Sequence, residues 1–303
     1  MFVDKFNRAY ELTIQTGDLK QFVTIQLPFT IEFNIHRRYG SSQNDANIRI
    51  YNLSPQTRDL IRVDFSDLTK KREVILKAGY GNEKPVIFAG YVNLAQSVRD
   101  GVNFVTTIEA MSGNFAYTQA TTGFSFGETT NNKVIVEQLI NAMGGYGVKK
   151  GVISPKINTQ ITRATACDRN PIEELKDRVG TNGFFIDNNT INVIGENECI
   201  AGTANLINAS TGLLATPVIY DQYVRCNVLF EPRFLIGQKV FLETETGSQK
   251  RLGYETAPNN YQYSMNGFYK IYEIIHNGTI SDALGGNAVT TLGLQAGTFG
   301  ELV

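Results

Sequence analysis

From Ile25 to Ile35 the chain is apolar at every second position: Ile25, Leu27, Phe29, Ile31, Phe33 and Ile35 alternate with residues such as Gln26, Thr30, Glu32 and Asn34. A helix repeats every 3.6 residues and cannot gather that set on one face, whereas the side chains of a strand point alternately to its two faces. The pattern therefore predicts a strand, or two in succession, with one face in a core. Pro28 falls on the outer face and has no N–H for a ladder, so it marks an edge position or the break between two strands.

Further strand-like runs cover Asn47 to Tyr51, Val74 to Tyr80, Val86 to Val92 and Phe104 to Ala110. Between the first two, Ser54-Pro55 opens a short helix to about Arg62, with Ser54 as N-cap and Pro55 in the first helical position. This first part reads as a β-barrel or sandwich with one helical crossover. From about Ala116 the period changes. Ile135, Leu139 and Met143 form a helical stripe stopped by Gly144-Gly145. Asn170 caps a second helix, Pro171 follows, Glu173 is expected to complete a capping-box pair, and Gly180 ends it. Gly183 to Ile186 and Thr190 to Ile194 form a hairpin around Asp187-Asn188-Asn189, completing a small α/β unit. After about Asn208, strands return at Val218 to Phe230, Gln238 to Thr244, Gly267 to Ile275 and Ala288 to Leu294. Between them, the polar stretch Glu245 to Met265 is expected to be a long projecting loop.

The chain has 303 residues, enough for two or three domains, and boundaries are expected near residues 115 and 207 (1–115, 116–207, 208–303). Lys and Arg number 28 against 29 acidic residues, so no net basic field attracts nucleic acid. The opening residues carry Asp4, Lys5 and Arg8, and no long apolar run occurs, so neither a signal peptide nor a membrane span is expected.

Catalytic chemistry finds little material. Cys167, Cys199 and Cys226 are odd in number and far apart, which predicts buried free thiols rather than a disulfide framework or zinc site. His36 and His276 lie in strand patterns, where structural roles are expected. Gly144-Gly145-Tyr146-Gly147 ends a helix where a phosphate loop would begin one. The pairs Glu173-Glu174 and Glu243 with Glu245 could do glycosidase work, but a helix first turn and a strand end account for them. Asp187-Asn188-Asn189 lacks the glycine and bidentate glutamate of a calcium loop. Tyr220, Tyr223, Tyr261, Tyr263, Tyr269 and Tyr272 crowd the last third, where β propensity accounts for them beside a sugar- or protein-binding reading. No catalytic, cofactor-binding or metal residue is expected.

The segment Asn47-Ile48-Arg49-Ile50-Tyr51-Asn52-Leu53-Ser54, then Thr57-Arg58, then Val74-Ile75-Leu76-Lys77-Ala78-Gly79-Tyr80-Gly81 and Ile87-Phe88-Ala89-Gly90, resembles the first barrel of tailed-phage baseplate hub proteins of the late control D type. Asn170 to Val179 with Gly183 to Asp187 is similar to their small α/β domain. Ser210 to Leu214, Leu229 to Pro232, Ile236-Gly237, Gly267 to Ile271 and Ile275 to Gly278 resemble their second barrel. The resemblance implies a mainly β fold with an α+β insertion, made of two tail-tube-like β-barrels and a small α/β domain. It implies a non-enzymatic homotrimer forming a pseudo-six-fold ring that joins the hexameric tail tube to the central spike. Tape measure and baseplate wedge proteins are further implied neighbours, and DNA passes only through the lumen. The protein would reside in the virion baseplate after assembly in the host cytoplasm. Lumen residues are expected among acids such as Asp64, Asp67 and Glu83. The rival readings are a distal tail protein closing as a hexamer and a cell-wall-degrading tail enzyme.

Overall fold

A computed structural model of the chain describes residues 6–63, 70–220, 223–244, 248–251, 254–255, 265–282, 286–297 and 299–301. The first segment holds β1 (Arg8–Gln15), β2 (Phe22–Gln26), β3 (Ile31–Arg38), β4 (Asp45–Tyr51), α1 (Pro55–Ile61), β5 (Glu73–Tyr80), β6 (Val86–Asp100) and β7 (Asn103–Met111). The middle holds α2 (Asn114–Gln119), β8 (Phe124–Phe126), α3 (Asn132–Gly144), β9 (Lys149–Ile153), β10 (Thr165–Cys167), α4 (Pro171–Val179), β11 (Phe185–Asp187), β12 (Thr190–Val193) and β13 (Glu198–Ile207). Last come β14 (Val218–Tyr220), β15 (Tyr223–Leu229), β16 (Gln238–Leu242), β17 (Ser248–Arg251), β18 (Tyr254–Glu255), β19 (Gly267–Ile280), β20 (Ala288–Ala296) and β21 (Gly300–Glu301). The fold is mainly β.

The alternating run is two strands. Residues 27–30 form a turn around the cis Leu27-Pro28 bond, and β2 and β3 lie on either side. Ile25, Ile31, Phe33 and Ile35 are buried as the alternation predicts. Phe29 departs from the pattern and is 38% exposed, because the strand period does not run through the turn.

One ladder joins the first and last segments. Its order is β18-β17-β14-β15-β20-β19-β3-β4-β7-β6-β5-β1-β2. The long β19 pairs at its start with β16, from Gly267 to Lys270, and along its second half with β3, where Ile275 faces His36 and Asn277 faces Asn34. β16 pairs in parallel with β13, a strand that precedes Asn208. Three apolar clusters lie against this framework. One is built on Leu12, Ile31, Ile48, Leu76 and Phe88, one on Val240, Ile271, Ile274 and Leu292, and one on Ile135, Leu139, Leu175 and Phe184.

The helices follow their caps. Ser54 Oγ accepts from Thr57 N at 3.1 Å, Asn131 caps α3, and Asn170 Oδ1 accepts from Ile172 N at 2.8 Å. Glu173 does not close the expected capping box; its carboxylate accepts from Lys176 Nζ at 2.7 Å, since an i,i+3 lysine lies within its reach. The stretch from Glu245 to Met265 is not wholly loop. β17 adds in parallel to β14, and β18 folds back on β17. The residues of that stretch outside these strands, 265 apart, lie beyond the described residues.

Candidate assembly site

The Asp187-Asn188-Asn189 turn holds the three segments together. Asn188 and Asn189 take φ of 49° and 57°, the left-handed conformation that asparagine tolerates best after glycine, and so close the two-residue β11–β12 hairpin. That aims Asp187 into the protein, where it is 9% exposed. Arg37, fully buried on the inward face of β3, donates from Nε to Asp187 Oδ1 at 2.9 Å and from Nη2 to Oδ2 at 2.5 Å. Its remaining Nη1 donates to the carbonyl of Phe234 in the last segment, at 3.2 Å. Asn44 Nδ2 donates to Asp187 Oδ1 and to the carbonyl of Ile186, so the buried carboxylate is matched on several sides.

The two asparagines complete the plug. Asn188 Oδ1 accepts from Ala89 N at 2.8 Å, and Asn189 Oδ1 accepts from Gly113 N at 2.8 Å while its N–H donates to Ser112 Oγ. Further bolts cross the same boundaries. Tyr80 O–H donates to the carbonyl of Phe230 at 2.7 Å and Tyr39 O–H to that of Ile194 at 2.9 Å. Lys270 Nζ donates to the carbonyl of Glu196 at 2.8 Å and lies 3.8 Å from the centre of the Tyr39 ring. Burial pushes its ammonium down to about 8, against the opposing pull of Cys199, Glu196 and Glu198.

The short sequence motifs acquire physical reasons here. Asn52, with φ of 59°, donates its N–H to Phe104 O and accepts Phe104 N–H on its side chain, which turns β4 out of the sheet and into the Ser54 cap. A Cβ on Gly79 would fall 1.9 Å from the Glu83 carbonyl, so the β5–β6 hairpin closes only over glycine. Gly90 meets the Met111 carbonyl in the same way, at 2.6 Å.

Two surfaces stand out. A cleft of about 1380 Å3 is lined by residues of all three segments, including Arg8 and Leu27 of the first, Asn205 and Leu206 of β13, and Glu231 and Arg233 of the last. The second is the outer face of β15-β20-β19-β3-β4-β7. Direct cross-strand partners share a face, so Asn277, Asn34, Asn47 and Glu109 form one row across four strands, with Asn227 and Thr291 in a neighbouring row. Its arginines face carboxylates: Arg38 lies 2.7 Å from Asp45, Arg225 lies 3.0 Å from Glu273, and Arg49 stands directly opposite Glu32.

The sequence-predicted residues do not converge. His36 is on the outer face, bonded to Asn34 and Arg38, whereas His276 is buried, with Nδ1 3.0 Å from Thr290 Oγ1. Burial, then the nearby Arg37 charge, holds the His276 imidazole well below its ordinary range. The three cysteines are free and buried, and burial raises the Cys226 thiol to about 12. Glu174 binds Arg169 at 3.0 Å, and Glu243 accepts from Asn208 Nδ2 at 2.8 Å. Gly144-Gly145 ends α3. The Tyr223 and Tyr272 rings lie 4.9 Å apart and tilted by 36°, and Tyr269 O–H donates to the carbonyl of Met265. Glu83 is exposed; Glu245, Asp64, Asp67, Tyr261 and Tyr263 lie outside the described residues. Among the described residues no three His, Cys, Asp or Glu side chains group as metal ligands, and no helix is long and apolar enough to cross a membrane. Sequence reasoning missed Arg37, although its position had a signal: it continues the inward register of Ile31, Phe33 and Ile35.

The family described as baseplate hub gp41 matches residues 10–247. Among solved structures, the 43 kDa tail protein of prophage MuSo2 from Shewanella oneidensis is 10% identical, with a TM-score of 0.55 over 94% of this chain and 97% of that one. The tail protein from Neisseria meningitidis MC58 is 7% identical, with a TM-score of 0.56 over 95% and 97%. The E. coli c3393 protein, a component of the type VI secretion system with structural similarity to T4 bacteriophage tail proteins gp27 and gp5, is 7% identical, with a TM-score of 0.51 over 90% and 76%. At these identities the likeness establishes the fold alone. No curated protein matches the sequence.

Proposed function

The chain belongs to the baseplate hub gp41 family, and on that premise we propose that three copies close a pseudo-six-fold ring joining the tail tube to the central spike. It is a structural component of a phage tail baseplate, and we read its part as mechanical rather than catalytic. The observation that carries the ring reading is the unbroken ladder through β3 and β19, which binds the two β-rich segments into one body. If each supplies one of six tube-like positions, three chains complete the ring by head-to-tail contacts. We read three units, 1–115, 116–207 and 208–303, the first and last as tail-tube-like barrels and the middle as the α/β domain. In this reading β13 is laid onto the last unit's sheet although it precedes the boundary.

Rigidity is what such an adaptor needs, and the Arg37–Asp187 plug supplies it by tying both β units to the α/β unit. Tape measure and wedge proteins are further proposed neighbours, and assembly in the host cytoplasm belongs to the same proposal. Copy counting by mass on purified particles tests the ring: three hub chains against six tube subunits in the adjoining ring support it, and six hub chains support a hexameric distal tail protein instead.

A further inference from the structure

β13 is an edge strand where it borders the large cleft. It pairs with β16 along one side, while β21 covers its other side only at Glu198 and Cys199. Glu243 N donates to Ile207 O at 2.9 Å, which sets the peptide groups of Ile207, and of Asn205 two positions earlier, toward β16. Strand alternation then turns the N–H and C=O of Leu206 the other way, to the side where no strand lies among the described residues. Leu206 lines the cleft and is 43% exposed. Natural edges are commonly blunted by charge or proline, yet Gly202-Thr203-Ala204-Asn205-Leu206-Ile207 carries neither, and the register shift of β13 falls before Asn205.

The same cleft holds one guanidinium without a carboxylate. Arg8 donates from Nη1 to the carbonyl of Gly286 at 3.1 Å and has no acidic side chain within ion-pair reach among the described residues. The other guanidinium, Arg233, is already held by both carboxylate oxygens of Glu231, at 2.8 and 2.9 Å, and Asp282 stands exposed to water. At about 1380 Å3 the cleft exceeds the roughly 300–1,000 Å3 of small-molecule pockets, which favours a polypeptide segment over a metabolite. A single free guanidinium beside an exposed aspartate makes no track for phosphates, which favours peptide over nucleic acid. We infer that the cleft receives an extended acidic segment of a partner protein, which adds a strand to the β13 edge at Leu206 and sets a carboxylate against Arg8. Main-chain bonds to the edge give such a segment its affinity, and the charge-assisted contact gives it selectivity. The inference stands apart from the three-copy ring and does not need it.

Fluorescence anisotropy on the purified chain tests this with a short, end-blocked, dye-labelled peptide that alternates valine and threonine around one central glutamate, and with its glutamine counterpart. The glutamate peptide should bind saturably, and the glutamine peptide about tenfold more weakly. Arg8→Gln should bring the two peptides to equal affinity. Leu206→Pro removes an outward N–H that no internal bond uses, so it should abolish binding of both peptides while melting close to the unmodified chain. Leu206→Asp, an exposed charge on the edge, is an independent cut that leaves the backbone intact and should also weaken both peptides. Absence of saturable binding, affinity that survives both Leu206 variants, or a glutamate preference that survives Arg8→Gln overturns the inference. Sedimentation of the chain without peptide reads the other occupant: self-association that Leu206→Asp removes would assign the edge to a second copy and overturn the partner reading. Copy number in particles is counted separately, so failure of the strand site and failure of the ring remain distinct results.

Discussion

Arg37 and Asp187, separated by 150 positions in the chain, form a buried bidentate ion pair at 2.9 and 2.5 Å, and the same guanidinium reaches the carbonyl of Phe234. One side chain of the first β segment thus holds the α/β hairpin and the last β segment together. Removing one partner leaves an uncompensated buried charge, which costs about 3–5 kcal/mol. Asp187→Ala should therefore lower unfolding stability by that order in urea titration. The double variant Arg37→Met with Asp187→Leu should lose clearly less than the sum of the two single changes. Strict additivity would show that the pair is not coupled.

Tyr80 offers a milder cut at the same boundary. Its hydroxyl donates to Phe230 O inside the protein, so Tyr80→Phe leaves a buried carbonyl short of a partner and should cost about 1–3 kcal/mol. One residue earlier, Gly79→Ala should be far worse, because its Cβ would overlap the Glu83 carbonyl, while Gly17→Ala meets nothing within 4 Å and should be near neutral. Thermal melts of the three variants check that ranking.

His276 gives a pH dependence with a definite sign. Its folded-state imidazole is held well below the ordinary value of 6.5, so below that pH the unfolded chain binds a proton that the native state refuses. Stability should fall as pH drops below about 6.5, with a slope of up to about 1.4 kcal/mol per pH unit from this one group. His276→Gln should flatten the profile between pH 6.5 and 5, leaving the carboxylate contributions that both proteins share. An unchanged slope in the variant would place the effect elsewhere.

Ile31 and Phe33 test the face assignment. Both are buried, at 0% and 3% exposure, and Ile31→Asp or Phe33→Asp puts an unpaired charge into the core at a cost of several kcal/mol. Neither variant should fold cooperatively, whereas Asn34→Asp on the outer side of the same strand should melt close to the unmodified protein.

Much of this was legible because it is local. Alternation placed β3, β4, β5 and β7, and Ser54-Pro55 and Asn170-Pro171 placed α1 and α4, since caps and side-chain periods act within a few residues. Phe29 was misread because a strand period says nothing about where a turn interrupts it. The β3–β19 ladder was invisible for another reason: strand pairing across 240 or so positions is set by which edges meet in the fold, and nothing local to either strand names its partner. Arg37 was half legible. Its place on the inward register of Ile31, Phe33 and Ile35 demands a buried counter-charge, but only the folded chain reveals that a hairpin aspartate, read locally as a turn residue, supplies it.

In the proposed ring, one chain carries two of six positions on a single continuous ladder. An asymmetric reconstruction of the particle baseplate tests it most directly. Three hub chains are expected in three-fold register beneath a six-fold tube ring, each chain spanning two positions through the paired β3 and β19. Six identical hub chains, or three chains whose first and last segments part at that pair, would contradict it.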